Sequence, residues 1–296
     1  MEKTVTDVPR LRPVARPSSV ALRSKPLPPA QRVRLALRLL GVIDDWPSRL
    51  RLVRFKLREK LGLVSAGEAL VPLRLRPLGG KVLHVRPGTS DTAVIGHNYL
   101  KDHAPFSGRD LRQICELGAN IGAALAGYAV RHPKARLLGV EADPGNAALA
   151  RRNLSQFGDR CRLVNAAVWD HETELVIEGE REDLRFAREP GEALSRGAAR
   201  VPARTIDSLL DEQMPEGPID FMQMSIEGSE ERVLAGESGG LERVRSIRVE
   251  THPDVGFTSA ACLRALDRLG FDAWIVAERG GDHCLGVRRA AASSRS

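Results

Sequence analysis

Two short clusters have the residue types and spacing to do chemistry. The first is Glu116-Leu117-Gly118-Ala119-Asn120-Ile121-Gly122, followed further on by Glu141-Ala142-Asp143-Pro144. Gly118 and Gly122 let a ligand approach the backbone, and a helix starting after them offers unpaired N–H groups. A carboxylate at the end of the next strand is placed to hold a vicinal diol such as that of a ribose. The second cluster is Ser225-Ile226-Glu227-Gly228, with His252 beyond it. A carboxylate or imidazole within hydrogen-bond reach is what a reacting hydroxyl needs in order to give up its proton. His97, in Gly96-His97-Asn98-Tyr99, is another candidate base; His84, His103, His132, His171 and His283 have no such context. The glycine spacing is G-x-x-x-G rather than the G-x-G-x-x-G of dinucleotide loops, which argues against NAD.

Such groups meet only if several strands end on one edge of a sheet, and the surrounding sequence supplies those strands. A strand over 113–117 leads to a helix over 121–131, whose Ala123, Ala124, Ala126 and Gly127 allow close packing on the sheet. Strands over 136–141 and 161–165 flank a helix over 145–153. A helix over 205–210, a strand over 219–225, a helix over 230–235, a strand over 246–250 and a helix over 259–269 keep the same rhythm. Residues 271–276 and 283–287, joined through Arg279-Gly280-Gly281-Asp282, form a closing antiparallel hairpin. This alternation predicts an α/β, doubly wound, mostly parallel sheet. Ahead of it, 69–75 and 82–86 read as a β-hairpin around Pro77-Leu78-Gly79-Gly80, and Asp91 is placed to cap a helix from Thr92. Residues 170–200 are charged and glycine-dotted with only 174–177 strand-like, which suits an extra hairpin or a substrate loop.

The 296 residues therefore divide into a basic Pro-rich arm (1–30), N-terminal helices and a hairpin on the cap or substrate side (31–110), a nucleotide-binding core (111–290) and a short tail (291–296). The net charge of +7 is concentrated at the start: residues 1–62 hold 15 Lys/Arg against 5 Asp/Glu, a local +10, leaving −3 for the rest. Residues 31–40 and 46–61 have helical apolar spacing with arginines between. Such basic helices cover a sheet, line a substrate entrance, or rest on a membrane surface as a peripheral contact. No apolar run approaches the roughly 18 residues of a span, and no signal-like apolar region follows the start, so the expected location is cytoplasmic. Cys115, Cys161, Cys262 and Cys284 form no C-x-x-C pair, so neither a zinc site nor a disulfide framework is indicated.

Five strings in order, Arg86 to Asp91, Glu116 to Gly122, Val140 to Pro144, Asp220 to Glu230 and Arg248 to His252, resemble the FkbM-type S-adenosylmethionine-dependent methyltransferases over roughly residues 80–290. The resemblance implies the Rossmann-like fold of a class I methyltransferase and S-adenosyl-L-methionine as cofactor. It also implies O-methylation of a sugar, glycolipid or secondary metabolite, a small-molecule or glycan acceptor. Backbone at Gly118, Ala119, Asn120 and Gly122 then meets the amino-acid end of the cofactor, and Glu116 accepts from its ammonium. Glu141, with Asp143 second, takes the ribose hydroxyls. Asn165 and Ala166 read the adenine. Ser225 and Glu227 face the methyl group. Asp143 also suits an ordinary helix cap. Family members commonly carry Lys-x-Asp-x-Glu-Gly where this chain has Gln223, Ser225, Glu227 and Gly228. That departure removes an aspartate from the mechanism and a hard oxygen ligand from any metal site. Two other classes stand beside this one. A nucleic-acid methyltransferase suits the basic extension, but the chain lacks an Asn/Asp-Pro-Pro-aromatic string and has few aromatics for stacking bases. A catalytically impaired cofactor-binding module suits Gln223 and Ser225.

Overall fold

The computed structural model describes residues 29–65, 67–100, 110–178, 186–188, 199–236, 238–278 and 281–290. Most of the expected arm and all of the tail lie outside the described residues. The chain divides into two units, 1–38 and 39–296; α1 (Pro29–Val42) begins in the first and ends in the second. The second unit holds every other described element.

After α1 come α2 (Trp46–Lys60), a hairpin of β1 (Val71–Leu75) and β2 (Lys81–Val85), and α3 (Asp91–Leu100). The α/β core then runs β3 (Gln113–Leu117), α4 (Ala123–Arg131), β4 (Arg136–Glu141), α5 (Pro144–Leu154), β5 (Cys161–Asn165) and β6 (Ala167–Val168). An insertion supplies β7 (Thr173–Glu178), β8 (Phe186–Arg188) and β9 (Ala199–Arg204). The chain closes with α6 (Ile206–Gln213), β10 (Phe221–Met224), α7 (Glu230–Ala235), α8 (Gly239–Glu242), β11 (Ser246–Glu250), α9 (Ser259–Arg268), β12 (Phe271–Glu278) and β13 (Gly281–Arg288).

Seven strands form one sheet in the order β5-β4-β3-β10-β11-β13-β12. The first five are parallel, and β13 lies antiparallel between β11 and β12. This is the strand order of a class I methyltransferase. The order reverses between β3 and β10, and open α/β sheets bind ligands at the strand ends beside such a switch point. The pleat sends Ile114 to one face, with Leu125, Ala126, Leu137 and Phe221, and sends Cys115 and Leu117 to the other, with Leu138, Val140, Met222 and Met224. The first of these cores also takes Leu52 and Phe55 of α2 and Leu73, Leu75, Leu83 and Val85 of the hairpin. From Leu39 onward the N-terminal part is thus a layer over the same core, and among its described residues Ser90 and α3 reach the ligand edge.

Several predicted elements shift. Helix α4 starts at Ala123, because Asn120 and Gly122 have positive φ (49° and 77°) and cannot lie in a helix. Residue Ser225 falls just past β10. Helix α6 runs on to Gln213 behind a Thr205 cap, and the closing hairpin is longer than its apolar pattern. Asp91 opens α3 instead of capping it; its carboxylate is taken by Arg86. The 170–200 insertion is more than a hairpin or loop: β6, β9, β7 and β8 form a second sheet, with Leu175, Ile177, Val201 and Ala203 packed beside Trp169. Among the described residues no helix is long and apolar enough to cross a membrane.

Candidate functional site

The turn between β3 and α4 passes directly under the end of β10. A Cβ at Gly118 would stand 1.8 Å from the Ser225 carbonyl oxygen, and φ there is 88°, so only glycine can occupy the position. The N–H groups of Gly118 and Ala119 both donate to the Val140 carbonyl at 2.9 Å, tying the turn to β4. Asn120 tolerates its left-handed backbone by accepting the Ile121 N–H on its own Oδ1 at 2.7 Å. Glu141, at the end of β4, accepts the Asn120 N–H (2.7 Å) and the Asp143 N–H (2.8 Å) on its two oxygens. Asp143 caps α5 through the Asn146 N–H at 2.6 Å. The Asn165 amide donates to the Glu141 and Ala142 carbonyls (2.8 and 2.9 Å), and Ala166, Ala167 and Val168 line the cavity.

That cavity, about 510 Å³, opens along the strand ends. On the β3 and β4 side its wall includes Glu116, Gly118 to Asn120, Glu141 and Asp143; on the β10 and β11 side it includes Gln223, Ser225, Glu227, Arg248 and Glu250. Glu116 is only 3% exposed, and its Oε2 has no hydrogen-bond partner among the described residues. Burial pushes its carboxyl up to about 8, and the charge of Glu141 adds to the shift. Its other oxygen lies 3.5 Å from the Gln223 amide nitrogen, whose carbonyl accepts from the Tyr128 hydroxyl at 3.0 Å. Burial also pushes Glu141 up to about 7, against the two backbone N–H groups that favour its charged form.

On the far side, the Ser225 hydroxyl donates to the Glu250 carboxylate. Arg248 and Glu250, two apart on β11, both face the cavity, and His283 stands opposite Glu250 in the β11–β13 register. His283, which has no context in sequence, is buried and lines the wall. The signal lies only in the strand pairing.

Residues 225–230 form a tight loop in which Glu227 and Gly228 have φ of 55° and 102°. The fully buried Glu230 carboxylate holds it by accepting the Ile226 and Gly228 N–H groups, each at 2.8 Å. His252 Nδ1 lies 3.2 Å from Glu230 Oε1, off the line of a hydrogen bond but close enough for charge to act, and Nε2 is 3.6 Å from Glu227 Oε2. Burial alone would favour a neutral ring, yet Glu230, Glu227 and Glu250 together push His252 up to about 9. A ring raised to about 9 holds its proton at neutral pH, and His252 stands behind Glu227 and Glu230 rather than in the cavity wall. Glu227 is exposed at the rim, and His97 lines the cavity from α3 together with Asn98. The arginine of the Arg86 to Asp91 string fixes α3 against α5: its guanidinium donates to both Asp91 oxygens (3.0 and 2.7 Å) and to Asn146 Oδ1 (2.6 Å).

Residues 116–273 match the methyltransferase FkbM domain family. The chain is similar to the 2-O-methyltransferase NoeI of Sinorhizobium fredii, 28% identical over 168 residues that cover 52% of this chain and 68% of that protein. Among solved structures, cofactor-bound Rv0187 from MTB is 16% identical with a TM-score of 0.41, covering 90% of this chain and 100% of that one. A methyltransferase from Geobacter sulfurreducens is 15% identical with a TM-score of 0.41, covering 87% and 96%.

Proposed function

The chain belongs to the FkbM methyltransferase family, and from that premise we propose that it methylates a hydroxyl of a sugar, glycolipid or secondary metabolite with S-adenosylmethionine. The observation that carries this is the Oε2 of Glu116 beside the Gly118 turn, buried and with no hydrogen-bond partner among the described residues. A carboxyl held up by burial gains most from a cationic partner, and the ammonium of the cofactor's amino-acid end is one. The cofactor supplies, when bound, a methyl group on a positively charged sulfur. Backbone from Gly118 to Gly122 surrounds the amino-acid end. Glu141 offers its remaining lone pairs to ribose hydroxyls, and Ala166 borders the adenine side.

Glu250 takes the proton of the acceptor hydroxyl. Ser225, donating to the same carboxylate, fixes its orientation. Glu227 at the rim and His97 on α3 meet the acceptor as it enters, and α3 keeps water from the strand ends. The relative NoeI, a 2-O-methyltransferase, supports oxygen as the methylated atom. Calorimetric titration with S-adenosylmethionine should show binding, and none at near-millimolar concentration refutes the proposal. In a screen of hydroxylated acceptors, Glu250→Gln and Glu227→Gln should leave cofactor affinity intact. Loss of about a hundredfold or more in turnover marks the proton acceptor; full turnover in both removes the carboxylate role.

A further inference from the structure

Helix α2 has two apolar faces. Ser48, Leu52 and Phe55 are buried against the domain, whereas Trp46, Leu50, Val53 and Leu57, with Leu61 just after the helix, are 50–72% exposed. With 3.6 residues per turn the five exposed residues fall within an arc of about 80°, opposite the buried face. The two edges of that arc are basic: Arg49, Lys56 and Lys60 on one side, Arg51, Arg54 and Arg58 on the other. The helix has a single acidic residue, Glu59, and it is engaged by Lys56 and by the Gly88 N–H on the buried side.

We propose that this face of α2 docks the protein on an anionic phospholipid bilayer, the helix lying flat with its stripe among the upper acyl chains. The charge pattern selects the occupant. Lys56 pairs with Glu59 and Arg58 with Glu68, which leaves Arg49, Arg51, Arg54 and Lys60 outside any ion pair among the described residues. A second copy of the helix would set these four against four, and residues 1–38 of the chain carry 9 Lys/Arg against 2 Asp/Glu, so either would add like charge. Lipid phosphates offset it, and long Lys and Arg stems run beside an apolar stripe with their heads at phosphate level. Trp46 at the helix start has the amphipathic ring that settles at such an interface. None of these residues belongs to the cavity, so this surface stands or falls apart from the methyl-transfer chemistry.

The test is cosedimentation of the full chain with vesicles of phosphatidylcholine containing phosphatidylglycerol, and with phosphatidylcholine alone. Binding to the anionic vesicles should be about tenfold or more tighter. The double variant L50S/L57S should lose about tenfold or more while keeping its melting temperature, because both side chains are exposed. R54E/K60E should lose the preference for anionic lipid. Four results would overturn the proposal: no binding to anionic vesicles; equal binding by L50S/L57S; a dimer in light scattering that L50S/L57S turns into a monomer; or vesicle binding that appears only after residues 1–38 are removed.

Discussion

Replacing His252 by glutamine removes the positive charge that faces Glu230 and Glu227 while keeping a polar side chain of similar length. The wild-type ring is raised from 6.5 to about 9 by the carboxylates of Glu230 on α7, Glu227 in the loop and Glu250 on β11, against the opposing effect of burial. A group with a raised folded pKa contributes stability that is whole below its unfolded value and is lost as pH climbs through the folded value. Each unit is worth ~1.4 kcal/mol, so the charged imidazole contributes about 3 kcal/mol below about pH 6.5 and almost nothing above about pH 9. Glu116 and Glu141 are also raised, to about 8 and about 7, and they lower stability over part of the same range. Their effect is common to both proteins and cancels in the difference. Urea unfolding of wild type and His252→Gln at several pH values should therefore give a difference that is constant at low pH and shrinks between about pH 6.5 and about 9. A difference that stays flat across that interval would mean that Glu230 does not hold a protonated ring, and the loop carrying Glu227 would need another explanation.

Two further substitutions test the cofactor end. Glu116→Gln should weaken S-adenosylmethionine binding by about ten- to a hundredfold, the worth of a charge-assisted hydrogen bond. Wild-type affinity measured by calorimetry should rise with pH towards about 8, as Glu116 ionises, and the part of that rise above about pH 7 should shrink in the variant, where Glu141 still titrates. Gly118→Ala should cost about 2 kcal/mol or more, from the positive φ and from a methyl group driven into the Ser225 carbonyl, read as a lower urea midpoint; an unchanged midpoint contradicts the close passage of β10 over the turn.

The parallel core was legible because its strands are short apolar runs punctuated by glycine, and several of its helices carry a side-chain cap, as with Asp143, Thr205 and Thr258. The Gly118 turn was legible for the same local reason. The second sheet was not, since β9 includes Pro202 and alternates Val201 and Ala203 with charged neighbours, a pattern too short to separate from a loop. His283 and Glu250 were opaque for a different reason. Their meeting depends on β11–β13 register across 33 positions, which no window of sequence contains. The protonation of His252 was not legible, because the deciding charge, Glu230, reads in sequence as one more exposed helix carboxylate and is fully buried.

The departures at β10 form one connected change. Position 223 faces Glu116, and a lysine there, as family members commonly have, would sit against a carboxylate that the sheet buries. Gln223 instead takes its hydrogen bond from Tyr128 and leaves its amide 3.5 Å from Glu116, too long to satisfy it. Glu116 is thereby left for a cationic ligand to compensate, and burial, with the charge of Glu141 beside it, holds its carboxyl up at about 8. At position 225 a serine replaces the aspartate, which would have set two carboxylates side by side with Glu250. The hydroxyl donates to Glu250 instead, so that carboxylate gains a hydrogen-bond donor where an aspartate would have brought a second like charge. Both substitutions remove a charge from the middle of the cavity, between Glu116, which faces the cofactor's ammonium, and Glu250, which faces the acceptor's proton.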